Sequence, residues 1–194
     1  YQGAFDFADI DGDNDLDLLI TGINSPAFQS TSILYENDGT GIFTENTNSS
    51  FIGVKVGSVD FEDIDLDGDE DVLITGGTDG IPFSSEIYIN DGNGNFTIVN
   101  NNGLVNVTFS SSAFGDVDLD GDPDLILAGR KGAIPDETAK LFENDGAGNF
   151  TEVSNTPFLG ATASSVDFAD INGDGDIDLF IAGVAPDMVF YSKF

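Results

Sequence analysis

Apolar and polar residues follow one another in short blocks, and the blocks recur along the chain. Phe5/Phe7, Val59/Phe61, Phe114 and Val166/Phe168 mark a first type of block, with the two-residue period of a strand. After an acidic stretch comes a second block, an apolar run closing on glycine at residues 18–22, 72–76, 125–129 and 179–183. These runs are too brief for helices and are bounded by Asp and Gly, so they predict strands. A third block lies at 33–35, 87–89 and 141–142, followed by Asn-Asp-Gly at 37–39, 90–92 and 144–146. Asn, Asp and Gly tolerate positive φ, so each tripeptide predicts a tight turn into the Gly-x-Phe-Thr segments at 41–44, 94–97 and 148–151. No segment carries a convincing helical period.

The acidic stretches between the first and second blocks set the repeat length. They occupy residues 7–17, 61–71, 114–124 and 168–178, and their first aspartates, Asp9, Asp63, Asp116 and Asp170, lie 54, 53 and 54 residues apart. The chain therefore reads as one all-β repeat array with units at about 1–54, 55–107, 108–161 and 162–194, the last incomplete. Four-stranded units of this length, apolar on both faces, are those of a β-propeller of antiparallel blades. The recurring phenylalanines are expected to form the core between blades. Four units make a compact ring, part of a larger one, or half of a ring closed by a second chain.

Composition narrows the chemistry. The 194 residues hold 36 acidic and 5 basic side chains, a formal charge of −31. Such a polyanion has no surface with which to neutralise phosphates, so nucleic-acid binding is excluded and an anionic membrane is disfavoured. His and Cys are absent, which removes the usual zinc sites, His-dependent triads, thiol chemistry and disulfides. No apolar run reaches the length of a membrane helix, so membrane insertion is not expected. Oxygen-ligand metal binding leads what remains.

Counting the first Asp of each acidic stretch as position 1, oxygen-bearing side chains recur at positions 1, 3, 5 and 9. They are Asp9, Asp11, Asp13 and Asp17; Asp63, Asp65, Asp67 and Asp71; Asp116, Asp118, Asp120 and Asp124; and Asp170, Asn172, Asp174 and Asp178. Position 7 is Asp15, Asp69, Asp122 or Asp176, expected to offer its backbone carbonyl as position 7 does in other calcium loops. Glycine at position 4 or 6 permits the sharp turn. Alternate donors in a tight loop converge on one ion, and six or more hard oxygens suit Ca²⁺ better than Mg²⁺. An EF-hand is excluded, because position 12 is Ile20, Ile74, Leu127 or Ile181 rather than Glu. The four loops hold 20 of the 36 acidic residues. That crowding repels unless cations offset it, and about four Ca²⁺, one per loop, are expected.

The pattern Phe-x-Asp-(Ile/Val)-(Asp/Asn)-x-Asp-x-Asp-x-Asp, followed by an apolar strand and Gly, resembles the FG-GAP/VCBS repeat. The likeness spans essentially the whole chain. It implies an integrin α-subunit-like propeller whose loop side chains at positions 1, 3, 5 and 9 bind Ca²⁺ with the position 7 carbonyl, and all four loops match. The Phe-Gly…Gly-Ala-Pro signature is partial (Phe114-Gly115, Ala128-Gly129 and Ala182-Gly183), nearer the bacterial VCBS type.

These readings point to an extracellular or cell-surface protein, of bacterial flavour, in which structural calcium stiffens a scaffold. Loops 24–31, 78–85 and 130–138 differ among the repeats and are candidate contacts for a glycan or protein ligand. The alternative is a purely structural module of a surface appendage or larger secreted protein, with self-assembly closing or extending the array. No enzyme is expected, since the carboxylates belong to the loops and no His or Cys remains for acid–base work. Asp6, Asp60 and Asp167 recur three residues before a loop, with Ala113 breaking the series. They are expected to cap backbone or stand behind the ligands. Asn95 and Asn149 match the N-glycosylation acceptor pattern, as do Asn48 and Asn106, but turn chemistry accounts for the first two.

Overall fold

The computed structural model describes residues 3–80, 83–133 and 135–184, together with the backbone of 190–191. These residues contain strands and turns and no α-helix. The first sheet is a meander of β1 (Ala4–Ala8), β2 (Asp17–Ile23), β3 (Ser30–Asn37) and β4 (Phe43–Glu45). The second runs through β5 (Val59–Glu62), β6 (Asp71–Gly77), β7 (Phe83–Asn90) and β8 (Phe96–Ile98). The third comprises β9 (Thr108–Gly115), β10 (Asp124–Arg130), β11 (Glu137–Glu143) and β12 (Thr151–Glu152). A fourth holds β13 (Thr162–Ala169), β14 (Asp178–Val184) and β15 (Phe190–Tyr191). Every pairing is antiparallel, and equivalent residues keep equivalent registers, as in Leu19↔Leu34, Leu73↔Ile87 and Ile126↔Leu141.

The three joints between successive sheets are the hydrophobic core. Leu19 and Leu34 pack against Val72, Ile74 and Tyr88; Leu73 and Ile87 against Leu125, Leu127 and Phe142; Ile126 and Leu141 against Leu179 and Ile181. Each second strand thus offers alternate residues to the sheet before and the sheet after. That is why β6 is buried along its whole length, and why its sequence reads as an unbroken apolar run instead of an alternating one. Segments between β4 and β5 and their counterparts seal the joints: Phe51 meets Tyr88 edge-on at 4.9 Å, and the Ile52 amide donates to the Tyr88 hydroxyl at 2.9 Å.

The chain route at each joint leaves no room for side chains at some glycines. A Cβ on Gly57 would lie 1.8 Å from the Thr75 carbonyl oxygen. The expected burial of the phenylalanine stripe holds for Phe61, Phe114 and Phe168, which pack against the three clusters. It fails for Phe5 and Phe7, exposed by 65% and 44%, because among the described residues no sheet stands against that face of the first repeat.

Leu73 lies at the middle joint with no exposed surface, whereas Leu66 is half exposed on a loop. Leu73→Ala should lower unfolding free energy by about 2–5 kcal/mol and Leu66→Ala by well under 1, as read by urea or thermal denaturation.

Candidate metal centre

Antiparallel connection puts the acidic loop, between first and second strands, at the same end of each sheet as the Asn-Asp-Gly turn between third and fourth. The loops are wound by their own side chains. In the first, Asp9 accepts the amides of Gly12, Asp13 and Asn14 at 2.9–3.1 Å. The position 1 residue of the other loops does the same work: Asp63 accepts from Gly68, Asp116 from Asp120 and Gly121, and Asp170 from Gly173, Asp174 and Gly175. This winding drives positions 4 and 6 into positive φ in every loop. Glycine was legible in the sequence at one of these positions, or at both in the last loop; elsewhere Asn14, Leu66 and Leu119 adopt φ of 70°, 61° and 65°. For the two leucines this conformation costs about 1–2 kcal/mol each.

Donors converge. One carboxylate oxygen from each of Asp9, Asp11 and Asp13 lies within 4.8 Å of the others, and the same holds for Asp63, Asp65 and Asp71 and for Asp116, Asp118 and Asp124. These are positions 1, 3 and 5 in the first loop and 1, 3 and 9 in the next two. Asp67 and Asp120, at position 5, accept the amides of Asp69 and Asp122 at 3.0 and 3.3 Å. In the fourth loop Asn172 accepts the Asp174 amide at 2.9 Å, and Asp176 donates its amide to Asp174 at 3.2 Å.

Position 9 is the buried member. Asp17, Asp71, Asp124 and Asp178 are at most 2% exposed. One oxygen accepts the position 2 amide: Ile10 at 3.2 Å, Ile64 at 3.1 Å, Val117 at 2.9 Å and Ile171 at 3.2 Å. In the first three repeats the other accepts the amide of the Asn-Asp-Gly asparagine, Asn37, Asn90 or Asn144, at 2.8–3.0 Å. The asparagine side chain then crosses the joint: Asn90 Nδ2 donates to the Ile10 carbonyl and Asn144 Nδ2 to the Ile64 carbonyl, both at 2.8 Å. Successive loops are therefore strung together by buried Asp–Asn pairs, a link across repeats that sequence inspection did not reveal although both residues were in view.

Position 7 has a second task. A Cβ on the turn glycine, Gly39, Gly92 or Gly146, would come within 3.2, 2.3 or 3.1 Å of Oδ2 of Asp15, Asp69 or Asp122, so these side chains lie over the turn. Of the acids preceding the loops, Asp6 and Asp167 cap backbone and Asp60 binds hydroxyls. Asp6 accepts the Phe61 amide across the first joint at 3.0 Å, Asp167 accepts the Phe168 amide at 2.9 Å, Asp60 accepts the Ser112 hydroxyl across the second joint, and Ser111 supplies the acceptor for the Val166 amide at the third. Asn95 and Asn149 donate to Asp91 and Asp145 within their turns, as their turn position implied.

The electrostatics of these loops are compatible with a bound cation. Four carboxylate oxygens, Oδ1 of Asp15, Asp63, Asp65 and Asp122, are buried with no hydrogen-bond partner, a costly arrangement unless a positive charge meets them. Burial, opposed by the two backbone amides and aided by neighbouring carboxylates, pushes Asp71 up to about 7 and Asp124 up to about 6. Asp15, Asp65 and Asp122 move up too, by desolvation and then by crowding against neighbouring aspartates. The donor set is all oxygen, which fits a hard divalent ion.

Three overlapping stretches of the chain, residues 9–74, 63–127 and 116–181, match the model of the FG-GAP-like repeat. The chain belongs to the FG-GAP-like repeat family. Each match opens on the position 1 aspartate of one loop and runs into the second strand of the next repeat, so it takes in a whole joint. A search of curated proteins finds no match.

Two predictions follow from the strain and the charge. Leu119 is 60% exposed, so Leu119→Asn removes little packing and should raise stability by about 1 kcal/mol in thermal denaturation. With no cation bound, Asp71 and Asp124 titrate above their ordinary 3.8, so folding takes up protons between pH 4 and 7. The stability they contribute is full below pH 4 and lost as pH rises through 6 and 7. Melting temperature in chelator should fall across that window.

Proposed function

We propose that this FG-GAP-like array is a calcium-stiffened, propeller-type scaffold that works outside the cell or on its surface and presents variable loops to a glycan or protein ligand. The observation that carries the calcium reading is the orphaned, buried Oδ1 of Asp63 and of Asp65, at positions 1 and 3 of a loop whose acidic donors already converge. Ca²⁺ would be held by positions 1, 3, 5 and 9, with the position 7 carbonyl, and would supply charge neutralisation and rigidity. The propeller reading is supported by sheets that meander in order and pack face to face in chain order.

The variable loops lie between second and third strands, hence at the opposite end of each sheet from the metal loops. Strands of 7 residues separate the two ends by roughly 20 Å. The loops are tied down by their own contacts. Asp79 accepts from the Ser30 amide and hydroxyl and pairs with Lys55 at 2.9 Å, which hold its carboxyl down at about 2. Arg130 stacks over the Phe109 ring at 4.6 Å, and Phe28 is 76% exposed. A loop rim with an exposed aromatic is the candidate contact surface. The chain has no His or Cys, and the loop carboxylates are given to the ion, so the reading is of a binding module and not an enzyme.

Ca²⁺ should raise the melting temperature, and chelator should lower it. At a hundredfold excess over the dissociation constant each site contributes about 2.7 kcal/mol. Asp118→Ala should remove one of about four sites in a calorimetric titration. A glycan and matrix-protein array probed with and without calcium tests recognition. Hits abolished by Phe28→Ala with calcium binding intact support it; silence from a folded, calcium-loaded sample favours a purely architectural module.

A further inference from the structure

The fourth acidic loop opens like the first but for one group. Residues 170–174 read Asp-Ile-Asn-Gly-Asp and residues 9–13 read Asp-Ile-Asp-Gly-Asp, so the Asn172 amide stands where the first loop has the Asp11 carboxylate. Position 3 is Asp65 and Asp118 in the other two loops, which makes Asn172 the one amide in the four donor sets. It is followed by Gly173. An Asn–Gly pair is open to ring closure, because a residue without a side chain leaves its backbone nitrogen unhindered for attack on the Asn Cγ.

The loop holds this pair ready for that reaction. The Gly173 amide, the nucleophile, donates to Asp170 Oδ1 at 2.6 Å, so a carboxylate stands where a base must take its proton. Asn172 Oδ1 accepts the Asp174 amide at 2.9 Å. A backbone donor thus faces the oxygen on which negative charge develops as Cγ becomes tetrahedral. Nδ2, the leaving nitrogen, lies 3.5 Å from Asp178 Oδ2. Asn172 is exposed to water, and so is Asp11 at the same position of the first loop, where the following repeat is present. Access at position 3 therefore does not depend on what stands beyond the fourth repeat.

The chain's other two Asn–Gly pairs lack this arrangement. After Asn93, the buried Gly94 amide donates to the Ile10 carbonyl at 3.0 Å, and a carbonyl is no base for it. Asn102 is held at both ends, by the Leu104 amide at 3.1 Å and the Ser85 carbonyl at 2.8 Å. Among the described residues no carboxylate accepts the Gly103 amide.

We infer that Asn172 is a modification site, at which the fourth loop deamidates itself and gains the carboxylate it lacks. The Gly173 nitrogen bonds to Asn172 Cγ as its proton passes to Asp170. The Cγ–Nδ2 bond breaks, Asp170 hands the proton to Nδ2, and ammonia leaves a succinimide ring. Water then opens the ring. Entry at Cγ gives aspartate at 172 and the donor set of the first loop, where Asp9 accepts the Gly12 amide at 2.9 Å and Asp11 the Asp13 amide at 3.3 Å. Entry at the main-chain carbonyl gives isoaspartate, whose backbone is longer by one carbon and no longer winds the same way. Either product consumes water, releases ammonia and adds one negative charge. The conversion rests on hydrogen bonds within one loop and stands apart from the calcium reading.

The test is peptide mapping by mass spectrometry of the folded full chain, aged at neutral pH in chelator so that no metal sits on Asp170. Conversion is read at Asn172, Asn93 and Asn102 in the same samples, and isoaspartate is counted by enzymatic methylation. Asn172 should convert faster than either of the others by about tenfold or more, as expected of a placed base and a placed donor. In urea, where the loop bonds are gone, the three should convert at similar rates. Asp170→Asn, shown to be folded by circular dichroism, should lose the lead of Asn172; the wild-type comparison decides alone if that variant does not fold. Conversion at Asn172 no faster than at Asn93 and Asn102 in the folded chain overturns the inference. A lead that persists undiminished in urea overturns it equally, since it then comes from neighbouring sequence and not from the loop.

Discussion

The structure depends on one residue type in one position, the buried aspartate that closes each acidic loop. Asp17, Asp71 and Asp124 take their two oxygens in different directions, one to the amide at the loop's second residue and the other to the asparagine of the turn after the third strand. Each carboxylate thereby fixes the loop to the hairpin of its own repeat. The asparagine then reaches the carbonyl of the preceding loop, so that loop geometry, hairpin position and the joint between repeats are one connected system. A buried carboxylate holding two backbone amides and surrounded by like charges is tolerable only while a proton or a cation offsets the crowd.

The apolar side of the same design is indifferent to charge. Each repeat places alternate residues of its second strand in two different cores, so no repeat has a core to itself. Stability is then a property of joints more than of sheets, as in other arrays whose units contact only their neighbours. The inner sheets are the more deeply buried, with β6 covered along its whole length. Ile10 and Ile171, the same residue in the same loop position, are 1% and 65% exposed.

The acidic loops and the variable loops occupy opposite ends of the strands, joined by antiparallel ladders whose registers are equivalent in the first three repeats. Variation among loops 24–31, 78–85 and 130–138 leaves the acidic end untouched. The four cations among the described residues do not form a patch: Lys55, Lys131 and Lys140 pair with Asp79, Asp136 and Glu152, and Arg130 lies on Phe109.

By itself the sequence determined the repeat, the order of strands and the turns. These are local properties: strand period and positive-φ residues are set within a dozen residues, and four copies make the signal redundant. It also placed Asn95 and Asn149 correctly, since their partners lie four residues away. Tertiary structure alone decided the rest. That Asn90 serves the loop of the preceding repeat, that Asp6 caps the strand of the next one, and that Asp69 lies over Gly92 depend on how sheets stack and hairpins fold back, at separations of 23 to 80 residues. The stripe of phenylalanines was visible as core, but the sequence could not distinguish Phe61 from Phe5, because whether a face is buried depends on what stands against it and not on the residue that forms it.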